Sequence, residues 1–172
     1  MSARVPEVVA HGERTARYAQ SLARTLGVDG GIGPVLETAA LFHDVGKAAM
    51  PDALLTKPCP LTPGEEAIMR RHVDVGAQIL EATESLAAAA PIVLATHEWF
   101  GGGGYPQKLA GEQIPLASRL IAVADAYDAM TETRSYRHGL DSSDAITELR
   151  RCCPAQFDPA IVDAFLVLLS RH

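Results

Sequence analysis

The sequence predicts an all-α fold, a compact bundle of about seven helices. Apolar residues recur at helical spacing in most segments, and the strict alternation typical of strands is nearly absent. Hydrophobic residues make up 48% of the 172 residues but aromatic residues only 5%, so aliphatic side chains and Ala must fill the interior. Such side chains suit closely packed helices, and a chain of this length can bury one full core.

The first predicted helix covers residues 5–27, where apolar positions recur every three or four residues. Gly27 and the Asp29-Gly30-Gly31 cluster are expected to end it. The second predicted helix covers residues 34–48 and begins at Pro34, a residue that the first turn of a helix tolerates.

Four prolines mark residues 51–63 as a connection. The third helix is predicted over residues 63–83, because Thr62 and Glu65 have the spacing of a capping box. The Ala-rich residues 85–99 predict a fourth helix.

Residues 101–114 are predicted to form a loop, since they begin with four consecutive glycines. Three helices are then expected, over residues 115–132, 142–152 and 159–170. Asp158 is placed to cap the last of them.

Composition excludes several classes of function. The formal net charge of −6 argues against binding DNA or RNA through a basic face. No apolar run reaches the ~18–20 residues of a membrane span, and residues 1–10 show no signal peptide. The cysteines (Cys59, Cys152 and Cys153) form no CxxC pair, which indicates reduced thiols. We therefore expect a cytoplasmic protein that binds neither DNA, RNA nor a membrane.

The strongest chemical signal is the dyad His43-Asp44, in an apolar segment predicted as helix. Buried ionisable groups persist when they are paired or bound to metal. Imidazoles and a carboxylate also occur on other predicted helices, at His11, His72, His97 and Asp125. A mixed set suits iron, manganese, zinc or nickel, and Asp44 can bridge two ions that clamp a hydroxide and polarise a phosphoryl oxygen. A single helical His is more often a core or surface residue, so the hypothesis rests on the whole set.

Two nearby residues each allow two interpretations. Lys47, three residues after Asp44, either pairs with that carboxylate as a surface bridge or reaches a substrate phosphate. Glu7, four residues before His11 on the same helix face, is either a further metal ligand or an acid favoured by the dipole at a helix start.

Candidate substrate contacts follow the fourth and fifth predicted helices. The glycine run and Tyr105 form a loop that could offer one aromatic ring to a base, although Gly-rich loops are often only turns. Arg134 and Arg137 suit bidentate phosphate contacts, or are cations favoured by the dipole at a helix end.

Together these motifs resemble the HD-GYP subgroup of the HD-domain metal-dependent phosphohydrolases, over about residues 7–158. In chain order the matching segments are Leu41-Phe42-His43-Asp44-Val45-Gly46-Lys47, Lys57-Pro58 with Leu61-Thr62, His72 with Gly76 and Ile79-Leu80, His97-Glu98, Gly102 with Gly104-Tyr105-Pro106, Ile114-Pro115, Asp125-Ala126-Tyr127-Asp128-Ala129 and Arg134-Ser135-Tyr136-Arg137. Their order and spacing are far more specific than the dyad alone.

The resemblance implies an HD-type domain with two or three divalent metal ions, iron most typically, and otherwise manganese or another transition metal. It also implies hydrolysis of cyclic di-GMP to pGpG, to GMP or to both, with His43, Asp44 and Lys47 as catalytic residues. By position, the implied metal ligands are His11, His43, the bridging Asp44, His72, His97 and Asp125, with Glu7 as a ligand found only in trinuclear members. The implied substrate-binding residues are Lys47, Tyr105, Arg134 and Arg137.

Two positions depart from the family pattern. Thr96 stands where the family has the first of two adjacent histidines, so we expect the second metal to bind more weakly through its other ligands. Gly101 stands where the family has an acid, which removes a charge and is expected to add freedom to the loop.

An alternative hypothesis is therefore a degenerate domain that binds nucleotide or a partner signalling domain with little turnover. A general HD phosphohydrolase for another nucleotide is disfavoured by the Gly-Tyr-Pro loop and the arginine pair.

We expect residues 1–172 to form a single HD-GYP-like domain that is a fragment of a longer multidomain protein. The resemblance implies this, since family members usually carry a sensory or receiver domain before the catalytic one. Besides cyclic di-GMP, the partner candidates are such a sensory or receiver domain, a diguanylate-cyclase-type partner and a second copy in a homodimer.

Overall fold

The computed structural model describes residues 5–133 and 138–170, with side chains from residue 8 onward. The α-helices of the described residues are α1 (Val5–Leu26), α2 (Asp29–Phe42), α3 (Asp52–Leu55), α4 (Pro63–Arg70), α5 (His72–Glu81), α6 (Ala90–Leu94), α7 (Leu116–Thr131), α8 (Ser142–Arg151) and α9 (Pro159–Leu169). Short 3-10 helices cover Val45–Ala49, Ala87–Ala89 and Gly111–Gln113. The described residues contain no strand, so the all-α prediction is confirmed.

The boundary of α2 differs from the prediction at both ends. The helix begins at Asp29 rather than at Pro34, so Gly30 and Gly31 lie in its first turn and do not break the chain. It ends at Phe42, and Asp44 precedes a 3-10 helix. The dyad therefore lies at a break between two helices and not inside one.

Two other predicted helices are divided. The helix predicted over residues 63–83 separates at Arg71 into α4 and α5, which makes His72 the first residue of α5. The helix predicted over residues 85–99 is reduced to a 3-10 turn and α6, and the chain turns away before His97. The remaining predicted helices agree with α1, α7, α8 and α9 within one or two residues.

Both predicted helix caps form. The Thr62 hydroxyl and the Glu65 carboxylate make a capping box at the start of α4. The Asp158 carboxylate accepts a hydrogen bond from the Ala160 backbone N–H at the start of α9.

The core is built largely from Ala and aliphatic side chains, as composition predicted. Helix α1 packs against α2, α7 and α9. Ala19 and Ala23 of α1 and Ala39 and Ala40 of α2 are fully buried, and side chains this small let helix backbones approach closely. No helix among the described residues has the length and apolarity needed to cross a bilayer.

A close backbone contact joins the 3-10 helix after the dyad to the start of α5. A Cβ atom added at Gly46 would lie 1.9 Å from the carbonyl oxygen of His72 and 2.6 Å from the amide nitrogen of Gly76. Only glycine fits there, and the contact brings Asp44 beside His72.

This contact predicts a strong effect of one added methyl group. Gly46→Ala should lower the free energy of unfolding by at least ~2 kcal/mol, because two backbone segments must separate. Gly30→Ala is the matched control: a Cβ there meets nothing within 4 Å, and the residue lies in the first turn of α2. It should raise the free energy of unfolding by up to ~1 kcal/mol. Urea denaturation measures both, and equal midpoints for the two variants would contradict the packing described here.

Candidate metal centre

Side chains from separate elements converge at one place. They are His11 of α1, His43 after α2, Asp44 before the 3-10 helix, His72 of α5, His97 after α6 and Asp125 of α7. All six are residues for which the sequence predicted a role as metal ligand.

The first ligand group consists of His11, His43, Asp44 and Asp125. The Oδ1 atom of Asp125 lies 3.0 Å from His11 Nε2 and 3.6 Å from His43 Nε2. Asp44 Oδ2 lies 3.7 Å from His43 Nε2. Nitrogen and oxygen atoms that face one another at these distances could surround one cation.

The second ligand group consists of Asp44, His72 and His97. Asp44 Oδ1 lies 3.6 Å from His72 Nε2, which in turn lies 3.1 Å from His97 Nε2. Asp44 therefore turns one oxygen to each group, as a bridging carboxylate does.

Backbone carbonyls orient two of the imidazoles. His43 Nδ1 donates to the Ala40 carbonyl and His72 Nδ1 donates to the Met69 carbonyl, each at 2.8 Å. These bonds fix both rings with Nε2 facing the ligand groups.

Two atoms of the centre are buried without a hydrogen-bond partner, His43 Nε2 and Asp44 Oδ1. Burying such atoms unpaired is unfavourable, and a divalent cation would satisfy both. The donor set of imidazoles and carboxylates thus fits a pair of transition-metal ions.

Two residues to which the sequence assigned no role support His11. The Oδ2 atom of Asp128 lies 2.7 Å from His11 Nδ1, and Arg14 Nε donates to Asp128 Oδ1 at 2.6 Å. A carboxylate behind a histidine ligand fixes the ring and raises its basicity. The available signal was spacing, because Arg14 follows His11 by three residues and Asp128 follows Asp125 by three.

The two groups differ in protonation. Burial alone lowers the pKa of His11, but hydrogen bonds to Asp125 and Asp128 outweigh it and raise that pKa to about 9. Burial lowers the pKa of His72 and lowers that of His97 to about 4. At neutral pH the first group therefore holds a proton on His11, whereas the second group is deprotonated.

Asp44 is ionised despite its burial. Burial by itself raises the pKa of a carboxyl, but the charges of His43 and Lys47 overcome this and lower the pKa of Asp44 to about 2. Lys47 Nζ donates to Asp44 Oδ2 at 2.6 Å, and 39% of the lysine side chain is exposed. The ion pair with Asp44 is thus formed, while a contact of Lys47 with substrate stays a prediction.

Tyr105 stacks against the second ligand group. Its ring lies 5.2 Å from the His97 ring at an interplanar angle of 9°, and the Arg70 guanidinium lies over the tyrosine, 4.9 Å from the ring centroid. Burial raises the pKa of Tyr105 to about 12, so the ring is neutral at any physiological pH.

Glu98, which matched the family motif without an assigned role, holds the Tyr105 loop. Its buried carboxylate accepts hydrogen bonds from the backbone N–H groups of Gln107 at 2.6 Å and Leu109 at 3.0 Å. Gly104 lies against the chain, where an added Cβ would sit 2.3 Å from the Trp99 amide nitrogen. These contacts fix the course of the loop on both sides of Tyr105.

The two departures from the family pattern have structural consequences. The Thr96 hydroxyl donates to the Val93 carbonyl at 2.8 Å and lies beside a cavity of about 50 Å³ lined in part by His97 and Asp125. Gly101 N–H donates to the Ala155 carbonyl at 3.0 Å, and an added Cβ would lie 2.9 Å from that oxygen. The backbone is therefore anchored at Gly101, while the effect of the missing acid on the freedom of the loop stays a prediction.

Three predicted site residues are not placed. The backbone of Glu7 lies in α1, but its side chain is outside the described residues, and so are Arg134 and Arg137 entirely. Their predicted roles stay predictions.

Known proteins similar in sequence to this chain include an HD-domain family and phosphodiesterases named for cyclic dinucleotides. The HD-domain family profile matches residues 1–161. The 3'3'-cGAMP-specific phosphodiesterase 2 of Vibrio cholerae is 36% identical over 168 residues, which cover 96% of this chain and 32% of the relative. The cyclic di-GMP phosphodiesterase response regulator RpfG of Xanthomonas campestris is 38% identical over 156 residues, covering 90% of this chain and 41% of the relative.

A solved structure shares the fold. Bd1817, an HDG"Y"P protein from Bdellovibrio bacteriovorus, superposes with a TM-score of 0.77 at 21% identity, over 95% of this chain and 52% of that chain. The chain spans less than half the length of the two curated relatives.

The unequal protonation predicts that the two groups bind metal with different pH dependence. Although burial lowers the pKa of His43, Asp44 and Asp125 raise it overall, so a metal must displace protons of His11 and His43 from the first group. Below about pH 9 the affinity of this group should therefore fall at least about tenfold for each pH unit. The second group has no such proton, and its affinity should change little above about pH 6. His97→Ala isolates the first group and His11→Ala the second. Competition with a chromophoric chelator measures each, and parallel profiles for the two variants would contradict the assignment.

The cavity beside Thr96 predicts a gain of function in metal binding. Thr96→His should add an imidazole there and raise the affinity of the weaker ion by ~10–100-fold. Metal analysis after dialysis against graded chelator measures the change. Thr96→Ala is the control, because it removes the hydroxyl and adds no ligand, and it should bring no gain. An unchanged affinity in Thr96→His would show that the cavity does not reach the second group.

Proposed function

The chain belongs to the HD-domain family, and on that premise we propose that it is a metal-dependent phosphodiesterase that hydrolyses cyclic di-GMP to pGpG, to GMP or to both. The observation that carries the proposal is the convergence of two ligand groups on Asp44, where Asp44 Oδ1 and His43 Nε2 are buried without a hydrogen-bond partner. The names of the relatives, which refer to cyclic di-GMP and to 3'3'-cGAMP, support the substrate class.

The proposed cofactor is two or three divalent ions, preferably iron and otherwise manganese or another transition metal. Glu7 would be a ligand only where a third ion is bound. When bound, two such ions supply Lewis acidity toward a phosphoryl oxygen and a nucleophile from water at neutral pH. His11, His43 and Asp125 would hold one ion, His72 and His97 the other, and Asp44 both. Asp44 suits the bridging role because its pKa of about 2 keeps it ionised.

The chain's own residues position the substrate in this proposal. Lys47 Nζ lies beside Asp44, partly exposed, and its charge can move from that carboxylate to the scissile phosphate, where it would stabilise the charge that develops during cleavage. Tyr105, whose neutral ring lies between His97 and Arg70 beside the second group, is proposed to contact the substrate. Arg134 and Arg137 are proposed to hold phosphates or bases through bidentate contacts.

An alternative function is nucleotide or partner binding with little turnover. The observation that favours it is Thr96, whose hydroxyl is occupied by the Val93 carbonyl and gives the second group one imidazole fewer than the family pattern has. The six converging ligands favour turnover instead. We also propose a sensory or receiver domain, a diguanylate-cyclase-type partner or a second copy of the chain as partners.

The function is tested on protein loaded with iron under reducing conditions, or with manganese, by separating the nucleotide products on an ion-exchange column. We expect cyclic di-GMP to be converted to pGpG or GMP, and Asp44→Asn to lower kcat/KM at least about hundredfold, because it removes a ligand shared by both ions. Asp163→Asn, which neutralises an exposed carboxylate on α9, is the matched control and should keep full activity. Tight binding of cyclic di-GMP without any product would favour the alternative.

A further inference from the structure

Arg70 lies at the outer end of a row of stacked side chains that leads to the second ligand group. Its Cζ atom is 4.9 Å from the Tyr105 ring centroid, the Tyr105 ring is 5.2 Å from that of His97, and His97 Nε2 is 3.1 Å from His72 Nε2. The row therefore joins a surface cation to the candidate metal centre through one aromatic ring.

The break between α4 and α5 explains how the chain reaches both ends of this row. Arg70 is the last residue of α4 and His72 the first of α5. His72 is buried, with 2% of its surface exposed, whereas 48% of the Arg70 side chain is exposed. A short segment thus presents a ligand inward and a guanidinium outward, on the side where Tyr105 lies.

The guanidinium is available for a further ligand. Its current partner is Glu66, whose Oε1 lies 2.6 Å from Arg70 Nη2 in an i,i+4 pair with both side chains about half exposed. Such pairs between exposed side chains are weak. A guanidinium over an aromatic ring keeps its N–H groups in its own plane, where they can form two parallel hydrogen bonds to an anion.

We propose that Arg70 binds the phosphate of the cyclic dinucleotide that is not being cleaved, and leaves Glu66 as it does so. The inference rests on the proposed function. A cyclic dinucleotide carries two phosphodiesters, and only one of them can lie at the metal centre beside Lys47. The other lies one nucleoside away from the centre, and Arg70 offers a partly exposed planar cation at the outer end of the row that begins at the second ligand group.

The main experiment compares Arg70→Ala with Arg71→Ala in the metal-loaded protein. Arg71 is the matched control, since it is exposed, carries the same charge and follows Arg70 directly. Arg70→Ala should raise KM for cyclic di-GMP about ten- to hundredfold with little change in kcat, whereas Arg71→Ala should leave both constants unchanged. Equal effects of the two variants would indicate general electrostatic attraction and overturn the proposal.

A substrate with only one phosphodiester distinguishes binding of the second phosphate by Arg70 from a structural role of Arg70. Bis(p-nitrophenyl) phosphate has no second phosphodiester, so Arg70→Ala should leave its kcat/KM unchanged. A matching loss on this substrate would mean that the variant disturbs Tyr105 or His97, and would overturn the proposal. Glu66→Gln should lower KM for cyclic di-GMP severalfold by releasing Arg70, and this gain should vanish when Arg70→Ala is added.

The base composition of the substrate distinguishes a phosphate contact from a base contact. Arg70→Ala should raise KM by the same factor for cyclic di-GMP and 3'3'-cGAMP, because their phosphates are alike. A loss confined to one of them would assign Arg70 to a base and overturn the proposal. If the wild-type protein hydrolyses cyclic di-GMP and the Arg70→Ala variant has the same KM, this inference alone is overturned. A wild-type protein that neither binds nor cleaves any cyclic dinucleotide, measured by calorimetry and product analysis, would overturn the proposed function as well.

Discussion

The Asp44 carboxylate is the group on which the rest of the site depends. Burial penalises its charge, and the structure offsets this penalty with the charges of His43 and Lys47 near Oδ2. Lys47 engages only Oδ2, so Oδ1 is left toward His72 without a hydrogen bond. A buried carboxylate with one paired and one unpaired oxygen is unfavourable in isolation. It becomes reasonable when cations occupy both sides, and the surrounding histidines are arranged accordingly.

Close backbone approaches bring those histidines to Asp44. Gly46 lets the 3-10 helix rest on the first turn of α5, which sets the position of His72. Gly12 plays the corresponding role on α1, because a Cβ there would lie 2.8 Å from the Leu41 carbonyl oxygen at the end of α2. That approach brings His11 to His43, whose rings lie 5.2 Å apart edge to face. Two glycines next to ligands therefore decide the shape of the centre, and neither contributes a side chain to it.

Sequence reasoning succeeded where chemistry restricts residue type and failed where only neighbours in space decide. The helical class followed from periodicity, and the converging ligands followed from imidazoles and carboxylates that an apolar segment could not otherwise tolerate. Asp128 and Glu98 matched the family motif but received no role, because a carboxylate that supports a ring or a loop cannot be distinguished by sequence from any other acid. The helix breaks at His43 and Arg71 were missed because neither carries a Gly or Pro signal, and tertiary packing, such as the contact at Gly46, overrides local preference there.

The two ligand groups prepare for a cation in different ways. In the first group, Asp125 and Asp128 converge on His11 and raise its pKa to about 9, so a proton and the nearby Arg14 supply the positive charge that the carboxylates require. Hydrogen bonds and charge therefore hold that half of the centre together, and a metal bound there would take the place of a proton. In the second group, burial keeps His72 and His97 uncharged, so an ion bound there would replace the contact between their Nε2 atoms and would displace no excess proton. The shared Asp44 couples the two events: an ion in either group neutralises part of its charge and weakens the pull on the other ion. Thr96 leaves the second ligand group without one imidazole of the family pattern. That group has fewer carboxylates than the first, so each remaining ligand accounts for a larger share of its affinity for metal.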